Sequence, residues 1–296
     1  MDSPPKARSG MTRNVLLVLV LFLVVPPCAA QPVGVEVTVP LKIKGVFGEK
    51  TVDLAATEYR PEGTGPFPAI VLSHGSPGMP AERVGYTAKF AVAAAVFVKW
   101  GFVVLSPVRR GYGKTGGAWE EGFGNCNAPY YVEAGLETAK DIAAAVAYLR
   151  ERPEVDPDRI VLVGQSAGGW GSLAAASAGD LPILGVVNFA GGRGGKQGGI
   201  ANNNCAPDRL VAAAGALGKR TKVPTLWLYT TNDQFFAPEL SRRMYEAYTQ
   251  SGGPAAYHLL PAIGADGHSL INLKNGVPLW QDQVASFLRE IGVPPR

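Results

Sequence analysis

The 296-residue sequence has little charge, little histidine and little cysteine. Asp, Glu, Lys and Arg make up 18% of it, with three histidines and three cysteines. A formal net charge of +4 is too weak to mark a nucleic-acid or acidic partner. The histidines, at 74, 258 and 268, show no metal-ligand spacing with each other or with cysteine, so neither a metal nor a cofactor is expected. There is no internal repeat and no charge block. The longest apolar run, residues 15–25, is too short to cross a bilayer as a helix. What the chain does hold is 47% hydrophobic residues with 37 Gly and 24 Pro. That composition excludes disorder and coiled coil and suits one large globular domain rich in turns.

Residues 1–30 read as a secretion signal. Lys6, Arg8 and Arg13 precede the apolar run, Pro26 and Pro27 end it, and Cys28-Ala29-Ala30 offers small side chains for cleavage. The alternatives are a retained anchor and a lipidated Cys28, though two prolines before the cysteine do not resemble a lipidation site. Cleavage would leave residues 31–296 as the working domain, exported to the periplasm or medium, with no stable membrane insertion. It would also leave Cys126 and Cys205, which are expected to form a disulfide in an oxidising compartment, two buried thiols being the alternative.

Beyond residue 31, short β-branched runs alternate with helical stretches, the pattern of an α/β fold. Strands are predicted over 33–39 and 52–59 as an antiparallel edge, then over 69–73, 102–106, 159–164, 185–190, 225–230 and 256–260. Helices are predicted over 86–99, 131–150, 166–178, 238–250 and 277–291. Residues 191–204, with six glycines and three consecutive asparagines, must be a loop, and a long loop after a strand is expected at the sheet edge where ligands bind.

Gly164-Gln165-Ser166-Ala167-Gly168 falls between a predicted strand and a predicted helix, the context of a nucleophile elbow. Without that context Ser166 would be a plain helix cap. A serine hydroxyl needs a base, almost always histidine. His74 precedes the nucleophile and His258 lies inside a strand, which leaves His268, in a Gly/Asp-rich loop beyond the last strand. Asp233, just after strand 225–230, is placed to orient that imidazole. Asp266 is too close in sequence to His268 for good alignment, and Glu239 is explained as an acid opening a helix. Two backbone N–H donors are needed for the oxyanion. Ala167 should supply one, and Ser76 the other, since Pro77 in the same loop has none.

Several pieces together resemble the dienelactone hydrolase and prolyl oligopeptidase-like branch of the α/β-hydrolases. They are Ser73-His74-Gly75, Arg110-Gly111-Tyr112-Gly113, Asp156-Pro157-Asp158-Arg159-Ile160, the elbow, Asn232-Asp233 and Gly267-His268. The resemblance implies an α/β-hydrolase fold with a central, mostly parallel eight-stranded sheet flanked by helices, and it puts nucleophile, acid and base on Ser166, Asp233 and His268. Dienelactone hydrolases carry cysteine where this chain has Ser166, which points away from lactones. The peptidase relatives usually carry a propeller ahead of the catalytic core, where this sequence has a few dozen residues, so carboxylic esters are expected ahead of peptides. A peptidase or amidase and a non-catalytic binding protein on the same fold are the other readings. Tyr112, Trp119, Phe123, Trp170, Phe235 and Phe236 are candidates for an apolar substrate site, against plain packing. Arg109 and Arg110 suit either a substrate carboxylate or structural ion pairs. The partner expected is a small-molecule ester. Strands four and six should lie three spacings apart, so a Cys126–Cys205 bond would have to join long loops beside the nucleophile.

Overall fold

The computed structural model describes residues 1–5, 32–45, 48–77, 79–88 and 90–296, so the expected secretion signal lies, past its first five residues, outside the described residues. Residues Pro32–Arg296 make one compact unit. Its eight strands are β1 (Val35–Gly45), β2 (Gly48–Tyr59), β3 (Phe67–Ser73), β4 (Val103–Pro107), β5 (Val155–Gln165), β6 (Gly185–Phe189), β7 (Thr225–Thr230) and β8 (Ala255–Leu260). They form one sheet in the order β1-β2-β4-β3-β5-β6-β7-β8. The β1–β2 and β2–β4 pairs are antiparallel and every other pair is parallel.

Helices α1 (Ala91–Lys99), α2 (Tyr131–Arg150), α3 (Ala167–Ala178), α4 (Pro207–Gly218), α5 (Pro238–Gln250) and α6 (Val277–Glu290) cover both faces. Strict alternation along the strands builds two cores. Ala69, Val71, Val103, Leu105, Ile160, Leu162, Trp227 and Tyr229 pack with α2, α3, α4 and α5. Their neighbours Ile70, Leu72, Val104, Val161, Val163, Leu226 and Leu228 pack with α1 and α6. Because both faces are covered, the central strands read as continuous apolar runs.

Several predicted boundaries shift, most of all at β1, β2, α1 and β5, and one helix is new. Helix α1 begins at Ala91 rather than at residue 86, and residues 80–83 before it form a separate 3-10 turn with Pro80 at its start. Strand β5 begins at Val155, where Val155 pairs with Phe67 across a register shift before the main ladder starts. Helix α4 was hidden behind the Asn-rich loop, although Pro207 opens it and the buried Leu210, Ala213, Ala214 and Leu217 fall at helical spacing.

The chain places β4 on one side of β3 and β5 on the other, so the strand order reverses there. Crevices in open α/β sheets form beyond the carboxyl ends of strands at such a point. The segments leaving β3, β4 and β5 meet at this crevice. Helices α2 and α3 close together beneath it, and a Cβ on Gly171 would fall 2.7 Å from the Thr138 Cβ. Gly171→Val should therefore destabilise the fold by about 1–3 kcal/mol through overpacking, measured as a lower urea midpoint with an unchanged m-value.

Candidate active site

Ser166 occupies the bend between β5 and α3 with φ 55° and ψ −120°, a conformation few non-glycine residues adopt. The bend exists because its flanks have no side chains. A Cβ on Gly164 would collide with the Gly168 carbonyl, and one on Gly168 with the carbonyls of Ser73 and His74. The strained serine is held by its own backbone: its N–H donates to the Phe189 carbonyl at 2.9 Å, and its carbonyl accepts from Trp170 N at 2.9 Å and Gly192 N at 3.2 Å.

Adjacent strands β7 and β8 bring Asp233 and His268 together. His268 Nδ1 lies 3.1 Å from both carboxylate oxygens of Asp233. Asp233 is buried, and its Oδ1 also accepts from the N–H groups of Phe235 at 2.7 Å and Phe236 at 2.9 Å. Asp266 has a different task. Its Oδ1 accepts from His268 N at 3.0 Å and Gln234 N at 3.1 Å, which clamps the two loops. Glu239 is exposed in the first turn of α5. The Phe235 ring stacks on the imidazole at 4.0 Å between centroids. Gln165, next to the serine, donates through Nε2 to the His268 carbonyl at 3.0 Å. Among the described residues no hydrogen bond joins Ser166 Oγ to His268. In unliganded sites that link is often long and closes only when substrate binds.

The loop after β3 is fixed by a buried polar cluster. His74 is fully buried; its Nε2 accepts from Arg109 N at 3.1 Å and its Nδ1 donates to the Gly75 carbonyl at 2.6 Å, which requires the neutral tautomer. Burial, and then the Arg109 guanidinium, hold its pKa well below the ordinary histidine value. Glu121 is the hub. It accepts from Arg109 Nε at 2.7 Å, Thr138 Oγ1 at 2.8 Å, Ser76 Oγ at 2.9 Å and the Tyr112 hydroxyl, and it pairs with Arg193 at 3.3 Å. Burial alone would raise the Glu121 pKa, but Arg109 and Arg193 hold it well below the usual carboxylate range. Arg109 and Arg110 thus make structural ion pairs, Arg110 with Asp141 at 2.9 Å.

A cleft of about 250 Å³ opens over Ser166 and Ala167, and Ser76, Trp119, Phe123, Phe235 and Phe236 line it. The backbone N–H of Ala167 has no partner among the described residues, and Ser76 stands across the same cleft. Two of the aromatic candidates are elsewhere. Trp170 is fully buried with Nε1 donating to the Tyr131 carbonyl at 2.7 Å, and Tyr112 is fully buried against Ser76 and Glu121; neither lines the cleft, because each is used to hold a helix or a loop. Reading the sequence missed Arg83, Arg193 and Gln197, which do line it. Arg193, in a Gly-rich stretch after a strand, carried a positional signal. Arg83 carried none.

Cys126 and Cys205 form a disulfide, 79 residues apart in sequence. It joins the loop after β4, which contributes Trp119 and Phe123 to the cleft, to the loop after β6, which contributes Gly192, Arg193, Gly194 and Gly195. Among the described residues no group of three or more His, Cys, Asp or Glu is arranged to hold a metal ion.

A profile of the prolyl oligopeptidase family matches residues 88–182, a stretch that contains the elbow but neither Asp233 nor His268. No match to the chain was found among curated proteins. Among solved structures, Pyrococcus horikoshii acylaminoacyl peptidase superposes with a TM-score of 0.59 at 18% identity, over 88% of this chain and 43% of that one. A Pyrococcus furiosus esterase superposes with a TM-score of 0.58 at 17% identity, over 87% and 94%. A Klebsiella pneumoniae protein described as a dienelactone hydrolase gives 0.52 at 16% identity, over 86% and 99%. The chain therefore spans about two fifths of the length of the peptidase it matches, 43%. The likeness to these structures is one of fold, the α/β-hydrolase fold. With the profile match it bears out the resemblance to the dienelactone hydrolase and prolyl oligopeptidase-like branch.

Two outcomes follow from the geometry around the cleft. Cys126→Ser should cost about 2–4 kcal/mol in chemical denaturation and also raise KM, since the freed loops line the cleft; an unchanged KM would leave the bond only a staple. His74 stays neutral in the fold, whereas an unfolded histidine takes a proton below about pH 6.5. Its contribution to stability is therefore complete above that pH and is lost as pH falls. In denaturation curves between about pH 5 and 7, His74→Gln should show a flatter dependence on pH than the parent protein.

Proposed function

We propose that this chain, an α/β-hydrolase by its fold, is an exported serine hydrolase whose domain over residues 31–296 cleaves carboxylic esters of small molecules through an acyl-enzyme. The observation that carries the reading is the strained Ser166 lining a cleft whose wall residue Phe235 stacks on an imidazole already paired to a buried carboxylate. In this reading His268 Nε2 removes the Ser166 proton as Oγ attacks the ester carbonyl. Asp233, bonded to Nδ1, fixes the tautomer and stabilises the imidazolium that forms. The negative oxygen is received by the N–H groups of Ala167 and Ser76, and the imidazolium then protonates the leaving alcohol. Water repeats the cycle on the acyl-enzyme. Nothing in this sequence calls for a metal or cofactor.

A small substrate is supported by the cleft of about 250 Å³, and an ester by an esterase neighbour that matches along 94% of its own length. The prolyl oligopeptidase profile favours the second reading, a peptidase or amidase using the same three side chains. Export is supported by the disulfide between Cys126 and Cys205 and by the signal-like residues 1–30. No helix among the described residues is long and apolar enough to cross a membrane.

A panel of p-nitrophenyl esters, aryl esters and Ala- or Pro-linked amides separates the readings. Ester turnover should fall by about 10⁴-fold or more in Ser166→Ala. Turnover that survives Ser166→Ala would end the assignment, and absence of turnover on every substrate would favour a binding protein.

A further inference from the structure

The cleft over Ser166 is lined by two arginines, Arg83 and Arg193, and by no aspartate or glutamate. The two differ in how their charge is met. Arg193 is buried and shares the Glu121 carboxylate with Arg109, so that two guanidinium groups face one carboxylate and one positive charge of that cluster is unbalanced. The Arg193 Nε has no hydrogen-bond partner among the described residues. Arg83, at the end of the 3-10 turn Pro80–Arg83, has neither an ion-pair partner nor a side-chain hydrogen bond among the described residues. The neighbouring Glu82 does not serve it, because the Glu82 carboxylate turns back to accept from Met79 N at 2.8 Å.

Arg83 is nonetheless held in place. Its guanidinium carbon lies 4.0 Å from the centroid of the Trp119 ring. Trp119 in turn donates through Nε1 to the Tyr112 hydroxyl at 3.0 Å, and Tyr112 lies 2.7 Å from the hydroxyl of Ser76. The guanidinium is thus seated on a ring tied to the loop proposed to bind the oxyanion. A cation over an aromatic face keeps its in-plane N–H groups free. Those donors suit a planar carboxylate, which accepts two parallel hydrogen bonds.

We propose that the substrate is a short ester bearing a carboxylate, and that Arg83, seated on Trp119, is the residue that selects it. The inference rests on the serine-hydrolase reading and deepens it by naming the substrate class. The excess charge of the Arg109–Glu121–Arg193 cluster adds a favourable field from below, in a cleft where no acidic side chain opposes it.

The test compares the p-nitrophenyl monoester of glutaric acid with its methyl-capped, neutral counterpart, so that only charge differs. The ratio of kcat/KM for the anionic over the neutral ester should fall by about tenfold or more in Arg83→Gln, the size of one charge-assisted hydrogen bond. Arg83→Lys should retain part of the ratio, Arg83→Glu should lower it further, and near-molar NaCl should depress it in the parent protein. A ratio unchanged in Arg83→Gln overturns the proposal, even if both rates drop, since a purely structural role would lower them together. Binding supplies a readout without turnover. Glutarate should raise the Tm of the parent protein and of Ser166→Ala but not of Arg83→Gln, and no shift in the parent protein also overturns the proposal. Activity that survives Ser166→Ala would instead defeat the serine-hydrolase reading, and the two failures are therefore told apart.

Discussion

The carboxylate of Glu121 is where the segments around the cleft converge. It receives Ser76 from the loop after β3, Arg109 and Tyr112 from the loop after β4, Thr138 from α2 and Arg193 from the loop after β6. Each of these segments leaves its strand at the carboxyl edge of the sheet, and without a common acceptor each would be free to move apart from the others. Burying a charge is costly unless it is paired and hydrogen-bonded, and Glu121 meets that condition several times over. Its neighbours are as constrained as it is. Removing the carboxylate would leave two buried guanidinium groups facing each other.

This cluster and the strained serine are two halves of one arrangement. The elbow requires β5, α3 and the loop after β3 to approach closely, and Gly164 and Gly168 remove the side chains that would prevent it. The cluster holds the opposite wall of the cleft at the matching height. Strain at Ser166 persists because its backbone is bonded on both sides, to Phe189 and to Trp170 and Gly192. On the far side, the clamp by Asp266 joins the two loops that carry Asp233 and His268. The cleft is thus built from loops, and its buried charges are tied to one another across them. The Cys126–Cys205 bond acts in the same sense at the rim, where solvent would otherwise compete with the contacts between loops.

Much of the architecture was legible from residue patterns. The helices over 131–150 and 238–250 and the strand over 225–230 were predicted with the boundaries observed, because each has a clean periodicity and a clear stop. Helix α4 was not, since polar residues before Pro207 masked an apolar spacing only four positions deep. The disulfide followed from counting cysteines after setting aside residues 1–30, expected to be a secretion signal, and the strand order then explained why only long loops could make it. Trp170 and Tyr112 were misplaced in the cleft for the opposite reason: proximity in sequence to the elbow or the Gly-rich loop says nothing about which way a ring faces.

Chain order and local chemistry alone determined the sharp bend at Ser166 between a strand and a helix, and they pointed to His268 among three histidines and to Asp233 after a strand as candidates. These are short-range statements, since glycine spacing, strand ends and loop composition are written within a few residues of one another. The pairing of one carboxylate with two arginines, the clamp at Asp266 and the seat of Arg83 on Trp119 were decided only by the tertiary structure. Apart from the bond between Asp266 and His268, those contacts join residues 12 to 72 positions apart, and which side chains face each other at such separations depends on how the strands are ordered and how their loops fall, which no local pattern records.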